Sequence, residues 1–570
     1  MTTNSRVCSS IVRTTLGLCA FAMLAHTAQA QDARTLDATR CAELASTTIM
    51  PAQIGLPVSA IHIDSAAWVD TAPAHCRIDG RLEPVDQSAT ARPITFGVAL
   101  PPQWNGRAVQ LGGGGMNGTV PMLAGRGEQS ELGRGYATYG SDSGHSMRDD
   151  GSWLLNDEAI QNLGFAQMKK THDAAFVLIE AAYGAKPEYN YYVGGSQGGR
   201  EGLTMAQRYP ADYDGVMSSV PIVGLSTLMV APALIRIQEK PLENWVSASM
   251  GPLLLKEIMR QCDALDGLND GVINNYVDCR AQFNVNDGKG DDDPWAALRC
   301  PGAANASCLT AAQIETLGFI FSTYEPGVAL PNGRTTFGMW APTTAIGSEG
   351  PSFGNMPMAP PGALLMSRRY AGQEGAEADA PNFFTLGTEG VTGILMQDNA
   401  SNPLDYNIAQ HGARHAQVAQ WLDSTQSDLS EFSQRGGKII FAIGTDDTVA
   451  PSGEQLDYYQ SLVDTMGRDK LDGFARLYVL PQTGHGLTGQ SAAIDGDGNT
   501  RTPAPIPATS DRFALLTAWV ERGEAPGMSV EVNGASGTLP MCSYPEYPHY
   551  QGGDASQAAA YRCTRPRLAD

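Results

Sequence analysis

The chain has 570 residues, with 38 Lys plus Arg against 60 Asp plus Glu and a formal charge of −22. That balance argues against nucleic acid and anionic membranes as partners. Charged residues are only 17%, and 63 Gly and 35 Pro suit a loop-rich globular enzyme rather than a coiled coil or a disordered chain. The length predicts one large domain with an insertion, or two domains.

Arg6 and Arg13 precede the apolar run 16–24, and Ala28-Gln29-Ala30 forms a small-residue cleavage site before Gln31. Residues 1–30 therefore read as a secretory signal peptide, which predicts a periplasmic or secreted protein. Their loss takes away two arginines and lowers the charge from −22 to −24. No later segment is long enough to span a bilayer.

Eight cysteines lie beyond the signal: Cys41, Cys76, Cys262, Cys279, Cys300, Cys308, Cys542 and Cys563. An even number in an exported chain reads as disulfides. They fall into four local couples, and pairing each with its neighbour is the simplest choice. Zinc is disfavoured, because no C-x-x-C pair or matching His spacing occurs.

Residues 31–90 hold the first couple and little periodicity. Strands are expected at 94–101 and 108–111. The second runs into Gly112-Gly113-Gly114-Gly115-Met116-Asn117-Gly118. Glycines at a strand end expose backbone N–H groups, as an oxyanion hole requires, and the Lys-Ser/Thr ending of a phosphate loop is missing. A short strand at 136–139 leads to Ser141-Asp142-Ser143-Gly144-His145. Residues 160–183 have helical spacing and end at Gly184, a C-cap.

The next strand, 189–193, ends in Gly194-Gly195-Ser196-Gln197-Gly198-Gly199, with a helix through Arg208 and a strand at 213–221. This is G-x-S-x-G in strand–turn–helix context. It predicts Ser196 as a nucleophile on a strained turn, and the alternation of strand and helix predicts a parallel sheet.

After Pro221 the rhythm stops. Residues 222–436 are Met-, Pro- and Gly-rich and read as a large inserted lid domain. The rhythm resumes with a helix near 428–433, a strand at 438–443, a helix at 452–466, a strand at 474–480 and a helix at 511–522. Residues 31–221 and 437–570 are thus two parts of one catalytic domain.

In the α/β-hydrolase arrangement the triad follows the order Ser, Asp or Glu, His, each after a strand. Of the nine histidines, His485 in Gly484-His485-Gly486 fits that filter. The strand at 438–443 runs into Thr445-Asp446-Asp447-Thr448, and either aspartate is a candidate for orienting His485. Backbone N–H groups of Gln197 and of a glycine near Gly114 are the expected oxyanion donors.

A second informative stretch is Cys262-Asp263-Ala264-Leu265-Asp266-Gly267-Leu268-Asn269-Asp270-Gly271-Val272-Ile273. Carboxylates plus main-chain carbonyls suit a hard cation, and a structural Ca²⁺ is expected. The glycine and glutamate positions do not fit an EF-hand.

Together these segments resemble the tannase and feruloyl esterase family, which includes the enzyme hydrolysing mono(2-hydroxyethyl) terephthalate. The resemblance covers most of 36–565. It rests on GGGGMNG, SDSGH, YYVGGSQGGREGLTMAQRYPADYDGV, CDALDGLNDGVINN, DLSEFSQRGGKIIFAIGTDD and the GHG around His485. It implies an α/β-hydrolase fold with an inserted lid and a triad of Ser196, Asp447 and His485. It also implies Ca²⁺ ligands Asp263, Asp266 and Asp270 with the main-chain oxygens of Leu268 and Val272, and it agrees with the local disulfide pairing. Family members typically carry bridged cysteines just before the serine and just after the histidine. Here those positions are Gly195 and Gly486, an unstapled variation.

The leading expectation is an exported serine esterase, taken as a monomer, for small-molecule esters of feruloyl, galloyl or terephthaloyl type. An esterase for aliphatic or polyester-oligomer substrates is the alternative. A non-catalytic calcium-stabilised binding protein is a third reading, against which the intact Ser, Asp and His argue. Arg368 and Arg369 are candidates for meeting a substrate carboxylate, with plain surface arginines the favoured reading.

Overall fold

The computed structural model describes residues 35–568, apart from 239–240, 247–249, 289, 291–292, 303–304, 306, 345 and 347–388. The expected export segment 1–30, and Arg368 and Arg369, lie outside the described residues. No helix among those described is long and apolar enough to cross a membrane.

Nine strands form one mixed sheet. In chain order they are β1 (Ala60–Val69), β2 (His75–Glu83), β3 (Ile94–Leu100), β4 (Arg107–Leu111), β5 (Ala137–Ser141), β6 (Tyr189–Gly195), β7 (Gly215–Ser219), and, after a two-residue pair β8 (Thr323–Tyr324) and β9 (Phe337–Gly338) elsewhere, β10 (Lys438–Gly444) and β11 (Ala475–Leu480). The spatial order is β1-β2-β3-β5-β4-β6-β7-β10-β11. The pairs from β1 to β5 are antiparallel. Every pair from β5 to β11 is parallel.

The parallel strands are apolar on both faces because both are covered. Ile439, Phe441 and Ile443 of β10 pack with Leu203, Val216 and Leu477 on one side. Ile440 and Ala442 pack with Tyr191, Phe513 and Trp519 on the other. The period of two is read directly from the sequence.

β1 and β2 form an antiparallel ribbon where little periodicity was expected. β1 is an edge strand with no fully buried residue. A bulge between Ile63 and Ser65 reverses its alternation, so Ile61 and Ile63 fall out of phase with Ala66 and Trp68. The long helix expected over 160–183 contains a π-helical turn, Asn162–Ala166, before its main body Gln167–Tyr183, and it ends on Gly184 at φ 69°.

β7 and β10 are adjacent, so the chain from 222 to 436 leaves the sheet and returns beside its point of exit. Among its described residues it adds no strand to the sheet. Its helices Leu225–Gln238, Gly251–Cys262, Tyr276–Phe283, Ala311–Phe321 and Ile408–Leu422 share a core that includes Ile235, Leu254, Ile258, Phe283, Trp295 and Phe321 and continues into Trp153, Ile160 and Leu163 of the body. After β11 come the helix Arg512–Arg522 and two hairpins, β12 (Ser529–Gly534) with β13 (Gly537–Cys542) and β14 (Tyr547–Tyr550) with β15 (Tyr561–Thr564).

Candidate active site

β4, β6, β10 and β11 run parallel, so their C-terminal ends share one edge of the sheet. That edge carries the glycine loop, Ser196, the Asp446-Asp447 pair and His485.

Ser196 has φ 61° and ψ −125°, which an L-residue adopts only when its surroundings enforce it. Its N–H donates to the Ser219 carbonyl at 2.9 Å, and its own carbonyl accepts from Arg200 at 3.0 Å and Ile222 at 3.3 Å. The turn also needs close backbone crossings. A Cβ on Gly194 would lie 2.3 Å from the Gly198 carbonyl oxygen, and one on Gly198 would lie 2.7 Å from that of Gly113. Gln197 begins the helix Gln197–Arg208. A residue at the first helical position has an N–H with no partner within its own helix.

The glycine loop is tied down amide by amide. Gly112 N–H donates to Val193 at 2.9 Å, extending the β4–β6 pairing, and Gly113 N–H donates to a Glu201 carboxylate oxygen at 3.1 Å. Gly114 accepts from Asn117 N–H at 2.8 Å, and a Cβ built on Gly114 meets nothing within 4 Å.

His485 Nδ1 lies 3.0 and 2.9 Å from the two carboxylate oxygens of Asp447. Asp447 is itself fixed, because Oδ1 accepts the Val449 and Ala450 N–H groups, each at 2.9 Å. Burial opposes the imidazolium, but the Asp447 charge and hydrogen bond together outweigh it, so the His485 pKa is raised. Asp446 faces elsewhere. It accepts from the Thr344 hydroxyl and from Thr344 N–H at 3.3 Å, and burial pushes its pKa up to about 6.

In the acidic loop, Asp263 and Asp266 are fully buried. Asp263 accepts Gly271 N–H at 3.0 Å and Gly496 N–H at 2.7 Å. Asp266 accepts Leu268 N–H at 3.0 Å and the Asn274 side-chain amide at 2.7 Å. Asp270 accepts Val272 N–H at 3.1 Å. Burial, and then the Asp270 charge, raise Asp266 to about 8, and burial with the Asp263 charge raises Asp270 to about 6. Gly267 at φ 96° and Gly271 at φ 78° turn the loop. Among the described residues no three His, Cys, Asp or Glu side chains are already gathered at metal-binding spacing. The four bridges are Cys41–Cys76, Cys262–Cys279, Cys300–Cys308 and Cys542–Cys563.

One residue at this edge has no counterpart in the sequence reading. Glu201, 1% exposed, gathers donors from three separate segments. Nothing in its local sequence announces them.

Comparison with known proteins gives a consistent result. The family model described as "Tannase and feruloyl esterase" matches residues 76–564. An uncharacterized esterase of Agrobacterium fabrum is 33% identical over 561 residues, 92% of each chain. The mono(2-hydroxyethyl) terephthalate hydrolase of Piscinibacter sakaiensis is 30% identical, over 90% of this chain and 89% of that protein. The crystal structure of feruloyl esterase B from Aspergillus oryzae superposes with a TM-score of 0.69 at 22% identity, covering 92% of this chain and 99% of that one.

Proposed function

The chain belongs to the tannase and feruloyl esterase family and is a carboxylic ester hydrolase, and from that premise we propose that it is an exported serine esterase for esters of aromatic carboxylic acids. Its body is an α/β-hydrolase fold into which residues 222–436 are inserted as a lid. The observation that carries the reading is the His485–Asp447 pair on the same sheet edge as the turn that holds Ser196 at φ 61°. The aromatic acyl group is supported by relatives named for feruloyl and terephthaloyl esters. Export is supported by the four disulfides, which persist in oxidising compartments.

In this mechanism Ser196 Oγ attacks the ester carbonyl carbon while His485 takes its proton. Asp447 holds the imidazole with Nδ1–H toward the carboxylate and stabilises the imidazolium. The developing oxyanion accepts from the N–H groups of Gln197 and Gly114. Collapse expels the alcohol, protonated by His485, and leaves an acyl-Ser196. Water activated by His485 then releases the acid and restores the serine.

Asp263, Asp266 and Asp270, with the carbonyl oxygens of Leu268 and Val272, are the proposed Ca²⁺ ligands. The donor set is all hard oxygen, and two of its carboxylates are fully buried, which suits this cation. Ca²⁺ supplies fold stability here and takes no part in ester cleavage. Chelation is expected to lower the melting temperature, by the equivalent of about 3 kcal/mol if the ion normally stands a hundredfold above its Kd. An unchanged melting curve after verified metal removal would refute the site.

The decisive test is fluorophosphonate labelling of the mature protein with and without Ser196→Ala, followed by turnover of feruloyl, galloyl, terephthaloyl and short aliphatic esters. Ser196→Ala is expected to abolish labelling and to lower kcat about 10⁶-fold. Labelling that survives the substitution sinks the triad. Turnover confined to aliphatic esters replaces the aromatic reading with the aliphatic one.

A further inference from the structure

Gly112 to Gly118 is a flexible sequence asked to hold an amide in one place. Main-chain pairing fixes its two ends, through Gly112 N–H to Val193 and Gly118 N–H to Asp142, each at 2.9 Å. Between those ends one side chain takes up the loop's donors. Glu201 Oε2 accepts Gly113 N–H at 3.1 Å, and Oε1 accepts the side-chain amide of Asn117. The same carboxylate accepts Tyr192 OH at 2.7 Å on Oε2 and Gln167 Nε2 at 3.1 Å on Oε1. Four donors fill the four acceptor positions that a carboxylate offers.

The bonds to Gly113 and Asn117 bracket Gly114. In return, Gly198 N–H donates to the Gly113 carbonyl at 3.1 Å. Loop and elbow helix therefore clasp each other twice, once from each side of the Gly113 peptide. With the amides of Gly112 and Gly113 both bonded within the protein, an oxyanion donor from this loop comes from Gly114 onward.

The adjacent Arg200 does not form an ion pair with Glu201. Its guanidinium donates instead to the carbonyls of Gly164, Leu163 and Leu422 and to Gln197 Oε1. Burial raises the Glu201 pKa, while the charge of Arg200 and the hydrogen bonds oppose that rise. A charged group is costly in such a place unless every lone pair is satisfied. Its four partners come from β6, the helix Gln167–Tyr183 and the glycine loop, so the loop cannot shift without leaving the carboxylate short of donors.

We propose that Glu201 is a positioning residue for ester hydrolysis: it bolts the glycine loop to the helix that starts behind Ser196 and so sets where the Gly114 amide points. The inference rests on the reading of Ser196, Gly114 and Gln197 given above. It assigns Glu201 no contact with substrate and no proton transfer.

The test compares Glu201→Gln with Asn117→Gly. The first keeps shape but turns an acceptor into a donor facing N–H groups. The second removes only the loop's side chain and tolerates φ 62° at that position. Both are expected to lower kcat at least tenfold with KM within about twofold of wild type. Affinity for a boronic acid transition-state analogue is expected to fall by the same factor as kcat/KM, while affinity for the carboxylic acid product is unchanged. Loss of melting temperature with kcat per folded molecule and boronate affinity intact would overturn the proposal and leave Glu201 a structural residue. If Glu201→Gln does not fold, Asn117→Gly decides alone by the same readouts. Failure of the triad is seen separately, as activity that survives Ser196→Ala; a dead Ser196→Ala beside a fully active Asn117→Gly refutes only this inference.

Discussion

The sheet edge that presents Ser196 and the inserted segment are held by different physics. Around Ser196 itself the fasteners are main-chain bonds, Ser196 to Ser219, Gly198 to Gly113 and Gly112 to Val193, with the Glu201 carboxylate behind them on the glycine loop. The main-chain bonds do not titrate, and the crossings that bring them together exclude any side chain at Gly194 and Gly198. The insert meets the body across an apolar seam, where Trp153, Ile160 and Leu163 share a cluster with Ile235, Val418 and Leu422, and also through buried carboxylates. Glu454, after β10, accepts from Arg334 and from Gly338 N–H of the insert, and Asp446 accepts from Thr344. Inside the insert, Asp423 accepts Ser226 N–H and its hydroxyl, each at 2.8 Å, joining the helices 225–238 and 408–422. The difference teaches that the proposed reacting groups sit among main-chain bonds that do not titrate, while the joint with the insert includes groups whose charge depends on pH.

The largest expected effect falls on the rigid side. Asp447→Asn leaves the backbone of the edge untouched but removes the charge that holds His485. We expect kcat to fall about 10⁴-fold with little change in melting temperature. The pH profile checks the cause. In the proposed mechanism His485 must be neutral to accept the serine proton; burial opposes its charge, but the charge and hydrogen bond of Asp447 outweigh that and raise its pKa. Activity should therefore decline with falling pH above the usual histidine range in the wild type. In the residual activity of the variant that acid limb should move to lower pH. A limb that stays in place would mean another group governs the proton.

A smaller effect is expected at the joint with the insert. Burial raises Glu454 from 4.5 to about 7, only partly offset by Arg334. A carboxyl with a raised folded pKa contributes stability that is present below about 4.5 and is lost as pH rises to about 7. Glu454→Gln removes that proton linkage. The fall in stability between those two pH values should shrink by on the order of 2 kcal/mol, read from melting curves across the range, with kcat for a short ester within about threefold. An unchanged slope would assign the pH dependence to Asp446 and Asp423. A large loss of kcat would break the separation between rigid edge and titrating joint.

Legibility from the sequence divides along the same line. The parallel strands were readable because burial on both faces leaves continuous apolar runs, and the elbow was readable because its glycines are enforced by contact. β1 was hidden by its bulge and its exposure. The insert was visible only as a break in rhythm, since its helices carry no period shared with the sheet. The choice between Asp446 and Asp447 lies in neither residue. It depends on Thr344, 102 positions away, which takes up Asp446. Glu201 was missed for the same reason, as two of its donors, Gly113 and Asn117, lie 88 and 84 positions away. Local sequence announces strain and periodicity, whereas a buried carboxylate is defined by partners that only the fold assembles.

The smallest expected effect bears on whether main-chain bonds suffice to hold the Ser196 turn. Gly195 precedes Ser196 and Gly486 follows His485. Neither glycine sits at positive φ. A Cβ on Gly195 would come no closer than 3.7 Å to Ser219, and one on Gly486 would lie 3.6 Å from Thr488 Oγ1. Both positions thus accept cysteine without strain, and Gly195→Cys with Gly486→Cys should bridge on oxidation, seen as the loss of two titratable thiols. If Ser196 is already positioned by its backbone bonds, the bridge adds stability of about 1 kcal/mol and leaves kcat within about twofold. A kcat that rises tenfold on oxidation and falls back on reduction would show that the unstapled edge wanders, and the contrast with the insert would then be one of degree. Two free thiols after oxidation would mean the two loops do not face each other closely enough to bridge.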